Sequence, residues 1–307
     1  MKFSAFLVLP VAAQAINIVI SNDDGWAEIN IRELYNCLTR AGFNGLISAP
    51  AENKSGTGSS DEEPEEVGED GCEFASCPAG SPPYGKSESE PRFNYVNSYP
   101  VTSMRYGIQN LSTTFFQGPP DIAVAGFNVG TNLGIVTSIS GTVGAAVEAV
   151  KEGVPAIAFS GSTGHQTAWN APLQPYMTIY ADLSANVTQT LTSSGKPYLP
   201  EDVFVNVNFP AVNDRCHSTS SFKFVFSRIY PAVPVFTPDD VETCGSKRLP
   251  VERSVVKNTA GCFASISVGN TDKVDVDAEL QAAVLEKLKG ILSCLPEDEK
   301  DARKMVL

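Results

Sequence analysis

Ile16-Asn17-Ile18-Val19-Ile20-Ser21-Asn22-Asp23-Asp24-Gly25 is a short apolar run that ends on an amide, two adjacent carboxylates and a glycine. An apolar run of this length, Ile16–Ile20, suits a strand buried on both faces, as in a parallel sheet. The polar stop then falls at the strand's C-terminal end, where open parallel sheets bind ligands. The same alternation continues outward from it. Ile29 to Ala41 carries Ile31, Leu34, Tyr35 and Leu38 at helical spacing and stops at Gly42. Leu46–Ala49 reads as a second strand ending at Pro50, and Asp121–Ala125 as a third. Thr142–Glu152 reads as a small-residue helix ending at Gly153, and Ala156–Ser160 as a fourth strand. This succession predicts a Rossmann-like, three-layer α/β/α fold with a mostly parallel sheet. From Val203 on, VFVNVNFP, FKFVF and ASISV predict a β-rich C-terminal part over 203–307, with Val276–Cys294 as a closing amphipathic helix.

The 307 residues are 42% hydrophobic and 19% charged, which supports a substantial core and excludes a disordered or collagen-like chain. A net charge of −13 leaves no electrostatic footprint for a nucleic-acid polymer or an anionic membrane. The acidity is concentrated. Between Asp61 and Pro91 there are ten acids against one lysine, in a stretch rich in Gly, Pro and Ser, so 61–91 reads as an acidic surface insertion. Within it, Gly80 to Ser87 fits the phosphate-loop pattern G-x-x-x-x-G-K-[ST]. That loop needs a strand before it and a helix after it. Two internal prolines and the following Glu88-Ser89-Glu90-Pro91 argue against both.

The first fifteen residues combine Lys2, an apolar run from Phe3 to Ala13 and an Ala13-Gln14-Ala15 cleavage site. They read as a secretory signal cut after Ala15, giving a secreted, extracellular protein. The 7 cysteines fit that compartment, and their odd number leaves at least one unpaired. Cys72 and Cys77 bracket a short turn and suit a bridge. Cys216, Cys244 and Cys262 offer a second bridge of undetermined pairing, and Cys37 reads as a buried thiol. No close Cys pair with His partners supports zinc. Asn53, Asn110 and Asn186 head glycosylation sequons, the first inside a functional loop where a glycan would obstruct the site.

Polar loops follow the first three predicted strands and a fourth polar segment precedes the small-residue helix, on what should be one edge of one sheet. The first is Asn22-Asp23-Asp24-Gly25, a natural site for a hard cation. The second runs from Glu52 to Ser60 and holds Lys54, Ser55 and Gly56, suited to an anion beside a metal. The third, Gly126 to Gly134, carries Asn128 and Asn132. Ser140-Gly141-Thr142 then precedes the small-residue helix, where exposed backbone N–H groups bind phosphate. Singly these are a turn, a loop and an N-cap; together they point to a metal–phosphate site.

These motifs, in this order, resemble the survival-protein SurE family. NDDG, the Ser-Gly loop, G-F-N-x-G-x-N-L-G and SGTVGAA carry the likeness closely over Ile16–Ser60 and Pro119–Gly161, and the stretch from Val203 more loosely. The secreted form with its acidic insertion resembles the fungal branch described as acid phosphatases. The resemblance implies hydrolysis of phosphate monoesters, with one divalent cation per site, Mg²⁺ or Mn²⁺. Asp23, Asp24, Ser55 and Asn128 would be its ligands. Asn22 would orient the carboxylates, and Gly56, Asn132, Ser140, Gly141 and Thr142 would bind the phosphate. Lys54 would stabilise charge on the transferred group, and Asp23 or Asp24 would orient or deprotonate water. The partner is a small phosphorylated substrate, and the family suggests a homodimer or larger homo-oligomer. Trp26-Ala27-Glu28-Ile29-Asn30 departs from the bacterial Ala-Pro-Gly pattern, which leaves the adjacent substrate wall open. His165 is a candidate proton donor or an ordinary loop histidine. Two other classes remain: a binding protein that kept the pocket without turnover, and a hydrolase of non-phosphate esters.

Overall fold

The computed structural model describes residues 15–296. The signal-sequence expectation lies outside the described residues apart from Ala15. Chain order begins β1 (Asn17–Ser21), α1 (Ile29–Arg40), β2 (Asn44–Pro50), β3 (Tyr84–Lys86), β4 (Phe93–Val96) and α2 (Pro100–Tyr106). A π-helical turn leads into α3 (Ser112–Phe116), followed by β5 (Ile122–Val129), α4 (Val136–Ile139), α5 (Gly141–Lys151) and β6 (Ala156–Gly161). The remainder is α6 (Pro175–Ser193), β7 (Val203–Phe209), β8 (Phe222–Ser227), α7 (Glu252–Val256), β9 (Cys262–Asn270) and α8 (Ala278–Leu288).

Among the described residues nine strands form one sheet in the order β3-β4-β2-β1-β5-β6-β7-β9-β8. β4, β2, β1, β5, β6 and β7 are mutually parallel, β3 is antiparallel to β4, and β9 is antiparallel to β7. The predicted three-layer α/β fold is the one observed. The β-rich C-terminal part is no separate layer, because β8 and β9 extend the same sheet.

The two faces of the sheet differ in side-chain size. Ile18, Ile20, Ile122, Val124, Ile157 and Phe159 pack into the cluster that includes α1, α6 and α8. The intervening Val19, Ala123, Ala125, Ala156 and Ala158 meet α2 and α5 on the other face. Small strand residues opposite the small-residue helix let α5 lie close to the sheet, so its N-terminus reaches the strand ends. Among the described residues no helix is long and apolar enough to cross a membrane.

Several expectations are corrected. The closing helix is shorter than Val276–Cys294, spanning Ala278–Leu288. α6 had not been anticipated: its Ser and Thr content masks Tyr176, Ile179, Tyr180, Leu183, Val187 and Leu191 at helical spacing. Its buried hydroxyls are satisfied internally, Ser184 donating to Tyr180 O at 2.8 Å and Thr188 to Ser184 O at 2.8 Å. The 61–91 insertion is more than surface. Val67 and Cys72 are buried, Arg105 binds Asp61 at 2.7 Å, and Tyr84–Lys86 pairs with β4 as an edge strand. That edge strand occupies the phosphate-loop pattern, and the element that follows it is the strand β4. Cys72 bonds to Cys77 as expected. The remaining bridges are Cys216–Cys262 and Cys244–Cys294, and Cys37 is a buried thiol.

Candidate active site

β1 ends at Ser21, and the next residues turn across the C-terminal edge of the sheet. Asn22 closes that turn on itself: its Nδ2 donates to Gly25 O at 2.9 Å and its Oδ1 accepts from Gly25 N at 3.1 Å. Asn22 therefore shapes the turn that carries the carboxylates, with its amide spent on backbone groups. Asp23 and Asp24 are 2% and 1% exposed, so both carboxylates are withdrawn from bulk water.

Each carboxylate is held from a different part of the chain. Thr142 Oγ1, in the first turn of α5, donates to Asp23 Oδ1 at 2.6 Å. Gly141 permits that approach, since a Cβ there would lie 3.0 Å from Asp23 Oδ2. Asp24 Oδ2 accepts from Val129 N at 2.9 Å, and its Oδ1 from Gln166 Nε2 at 2.6 Å. The backbone carbonyl of Asp23 accepts from Lys54 N at 2.7 Å, which seats the second loop on the first. Gly58 N donates to Ile139 O at 3.0 Å and ties the second loop to the approach to α5.

Other predicted residues hold the loops. Ser140 caps α5 by accepting from Val143 N at 3.1 Å. Asn128 follows a register break in β5, and its Nδ2 donates to Gly130 O at 2.7 Å, leaving Oδ1 for a ligand. Asn132 is buried, its Nδ2 donating to Ser160 Oγ at 2.8 Å and its backbone bound by Asn206 and Asn208. Ser55 and Gly56 lie on the exposed rim, where Asn53 Oδ1 closes a turn on Ser55 N at 2.8 Å. Lys54 does not face the carboxylates. Its ammonium pairs with Glu52 at 2.6 Å and sits 5.6 Å from the Tyr99 ring.

Burial pushes the Asp23 carboxyl above its ordinary range, against the hydrogen bonds from Thr142. Burial and then the Asp23 charge push Asp24 up further. Among the described residues neither forms an ion pair with Lys or Arg. Two adjacent, buried, uncompensated carboxylates are costly unless a cation joins them. The donor set is oxygen only, which fits a hard divalent ion such as Mg²⁺ or Mn²⁺. Among the described residues no three His, Cys, Asp or Glu side chains gather to hold a metal. Neutral oxygens, such as those of Asn128 and Ser55, would therefore complete the shell.

Four polar residues escaped the sequence reading. Gln166, one position past the exposed His165, reaches Asp24. Glu28 is fully buried at the start of α1, accepts from Asn30 N at 2.5 Å, and is pushed by burial to about 8. Glu73, from the acidic insertion, lies over Gly25, where a Cβ would sit 2.0 Å from its Oε1. Burial and the Glu28 charge raise it to about 8. Glu252 accepts from Gly134 N at 2.6 Å and Asn206 Nδ2 at 3.0 Å, and so anchors the Asn132 loop. Only Glu28 lay inside a segment the motifs marked as unusual.

The chain resembles known proteins in sequence and, for one solved structure, in fold. The family model for survival protein SurE matches residues 18–228. A protein named acid phosphatase from Yarrowia lipolytica is 32% identical over 311 residues, covering 91% of this chain and 86% of that protein. A 5'-nucleotidase SurE from Maridesulfovibrio salexigens is 31% identical over 199 residues, covering 64% of this chain and 67% of its own length. The crystal structure of the SurE protein from Aquifex aeolicus shares the fold, with a TM-score of 0.58 at 21% identity, covering 88% of this chain and 98% of that one. Matched across most of its sheet and over nearly all of a relative's length, the chain belongs to the survival protein SurE family.

Proposed function

We propose that the protein hydrolyses phosphate monoesters, as an acid phosphatase or nucleoside monophosphate nucleotidase. Asp23, Asp24, Ser55 and Asn128 would hold one Mg²⁺ or Mn²⁺. The observation that carries this reading is the buried Asp23–Asp24 pair, uncompensated by any cationic side chain among the described residues, beside the N-terminus of an 11-residue helix. The positive end of that helix favours a phosphate dianion, with Ser140, Gly141 and Thr142 lining the approach. Held by these residues, such a cation would neutralise phosphoryl charge and make water more acidic.

The chain's own groups do the remaining work. The carboxylates orient an attacking water in line with the leaving group, and one of them takes its proton. Asn132 is immobilised by Ser160, Asn206 and Asn208, so an amide beside the phosphate costs no reorganisation. Lys54 leaves an exposed pair with Glu52 to meet the phosphate; such pairs are worth about 0–1 kcal/mol, so the exchange is cheap. The names of the Yarrowia and Maridesulfovibrio relatives support the reaction class. Three disulfides support export to an oxidising compartment, with Ile16 as the mature N-terminus after signal cleavage. A homodimer or larger assembly is proposed with it, and size-exclusion chromatography with light scattering tests that point.

The direct experiment is p-nitrophenyl phosphate hydrolysis with EDTA and Mn²⁺ add-back, on the wild type and Asp23→Asn. Activity should vanish with EDTA, return with Mn²⁺ and stay absent in the variant. Undiminished turnover in folded Asp23→Asn would overturn the site assignment, and turnover indifferent to EDTA would overturn the metal.

A further inference from the structure

We propose that Gln166 is a positioning residue for the candidate metal carboxylates, fixing Asp24 as Thr142 fixes Asp23. The proposal rests on the metal reading given above. Gln166 comes from the loop after β6, a part of the chain outside the four motif loops. That loop is docked on the segment directly following Asp24. Ile29 N donates to Thr167 O at 3.0 Å, Trp169 N donates to Ala27 O at 2.9 Å, and Ala168 bridges to Glu28. The docking delivers the amide in one register, and Nε2 reaches Asp24 Oδ1 at 2.6 Å.

The chemistry fixes which end of the amide points there. An ionised carboxylate only accepts, so the NH₂ must face it. The cost of that choice is visible. Gln166 Oε1 is buried with no hydrogen-bond partner among the described residues. Its orientation is therefore set by Asp24 and not by a network of its own. A neutral donor is also the right kind of group. A Lys or Arg at this point would neutralise Asp24 and repel a cation, whereas an amide orients the carboxylate and leaves its charge available. Thr142 does the same from the first turn of α5 at 2.6 Å. Each carboxylate thus has one neutral side-chain donor.

The test compares Mn²⁺ binding, followed by electron paramagnetic resonance of the free ion, in wild type, Asp24→Asn, Gln166→Met and Gln166→Ala. Gln166→Met keeps the length of the side chain and removes the donor. It should weaken Mn²⁺ about tenfold, the lower end for losing an outer partner of a metal ligand, with the metal-free protein still unfolding in one cooperative transition. Gln166→Ala should weaken binding similarly, and high Mn²⁺ should restore phosphatase activity in both, but not in Asp24→Asn. Wild-type Mn²⁺ affinity in both Gln166 variants, with binding lost in Asp24→Asn, overturns this proposal alone. If Gln166→Ala melts lower while Gln166→Met binds Mn²⁺ normally, Gln166 only packs, and the proposal is again overturned. If the wild type binds no Mn²⁺, or Asp24→Asn binds it equally, the metal reading fails and takes this assignment with it.

Discussion

Asp24→Asn should change the stability of this protein in opposite directions with and without metal. Asp24 is 1% exposed and lies next to the equally buried Asp23, and both burial and the Asp23 charge disfavour its ionised form. An amide removes the charge without removing the shape. Its oxygen can keep the bond from Val129 N, and its NH₂ can meet Gln166 once that amide turns its partnerless Oε1 inward. Relief of about 2 kcal/mol, mid-range for a buried uncompensated group, raises the melting temperature by about 3 °C in a chain of this size. Mn²⁺ at about 1,000 times its dissociation constant would stabilise the wild type by about 4 kcal/mol, or about 6 °C, and the variant not at all. Scanning calorimetry on both proteins, with EDTA and with Mn²⁺, should therefore show the order of melting reversed. The metal-free gap should also widen as pH rises. The folded-state pKa of Asp24 is raised above 3.8, so its stabilising contribution is full at low pH and is lost as pH climbs. A variant that melts below the metal-free wild type, or that keeps the full Mn²⁺ shift, would refute the reasoning.

Other perturbations follow from single contacts. Thr142→Val removes the 2.6 Å bond to Asp23 at constant volume and should weaken Mn²⁺ about 10- to 100-fold by titration calorimetry. Lys54→Ala should lower kcat/KM about tenfold or more in steady-state assays while Mn²⁺ affinity holds, because its ammonium touches neither carboxylate. Glu28, raised from 4.5 to about 8, keeps its proton in the folded state where the unfolded chain has released it. Its contribution is present below about 4.5 and lost towards 8, so denaturant titrations of Glu28→Gln should show a flatter fall in stability across that window. Cys216→Ser opens a bridge closing 46 residues between the loop after β7 and the start of β9, and should cost about 2–5 kcal/mol in urea unfolding.

The layered fold was legible because buried parallel strands are written as short apolar runs, and Ile18, Val19 and Ile20 are such a run. The polar loops were legible for a related reason: those of Asp23 and Lys54 follow β1 and β2 immediately, so sequence adjacency places them at the sheet edge, whereas Asn128 is still within β5 and Ser140–Thr142 comes after α4. What escaped was whatever depends on contacts far apart in the chain. Gln166 lies 142 positions from Asp24, and no local pattern marks an amide as aimed at a carboxylate. Glu73 sits in a segment whose composition reads as solvated, yet its backbone N donates to Ala51 O at 3.2 Å and its side chain covers Gly25. Cys244–Cys294 was equally hidden, because pairing depends on distance in space, whereas sequence supplies only spacing.

The sequence by itself determined which residues carry charge and hydroxyls at each strand end, since hydrophobic periodicity and turn chemistry are local properties. The tertiary structure alone decided what those residues do to one another. It buried Asp23 and Asp24 together without a cationic partner among the described residues, gave each one neutral side-chain donor from a distant segment, and turned Lys54 toward Glu52. Burial and long-range hydrogen bonds arise only when the sheet closes, and they convert an ordinary Asn-Asp-Asp-Gly turn into a strained pair of carboxylates suited to a divalent ion.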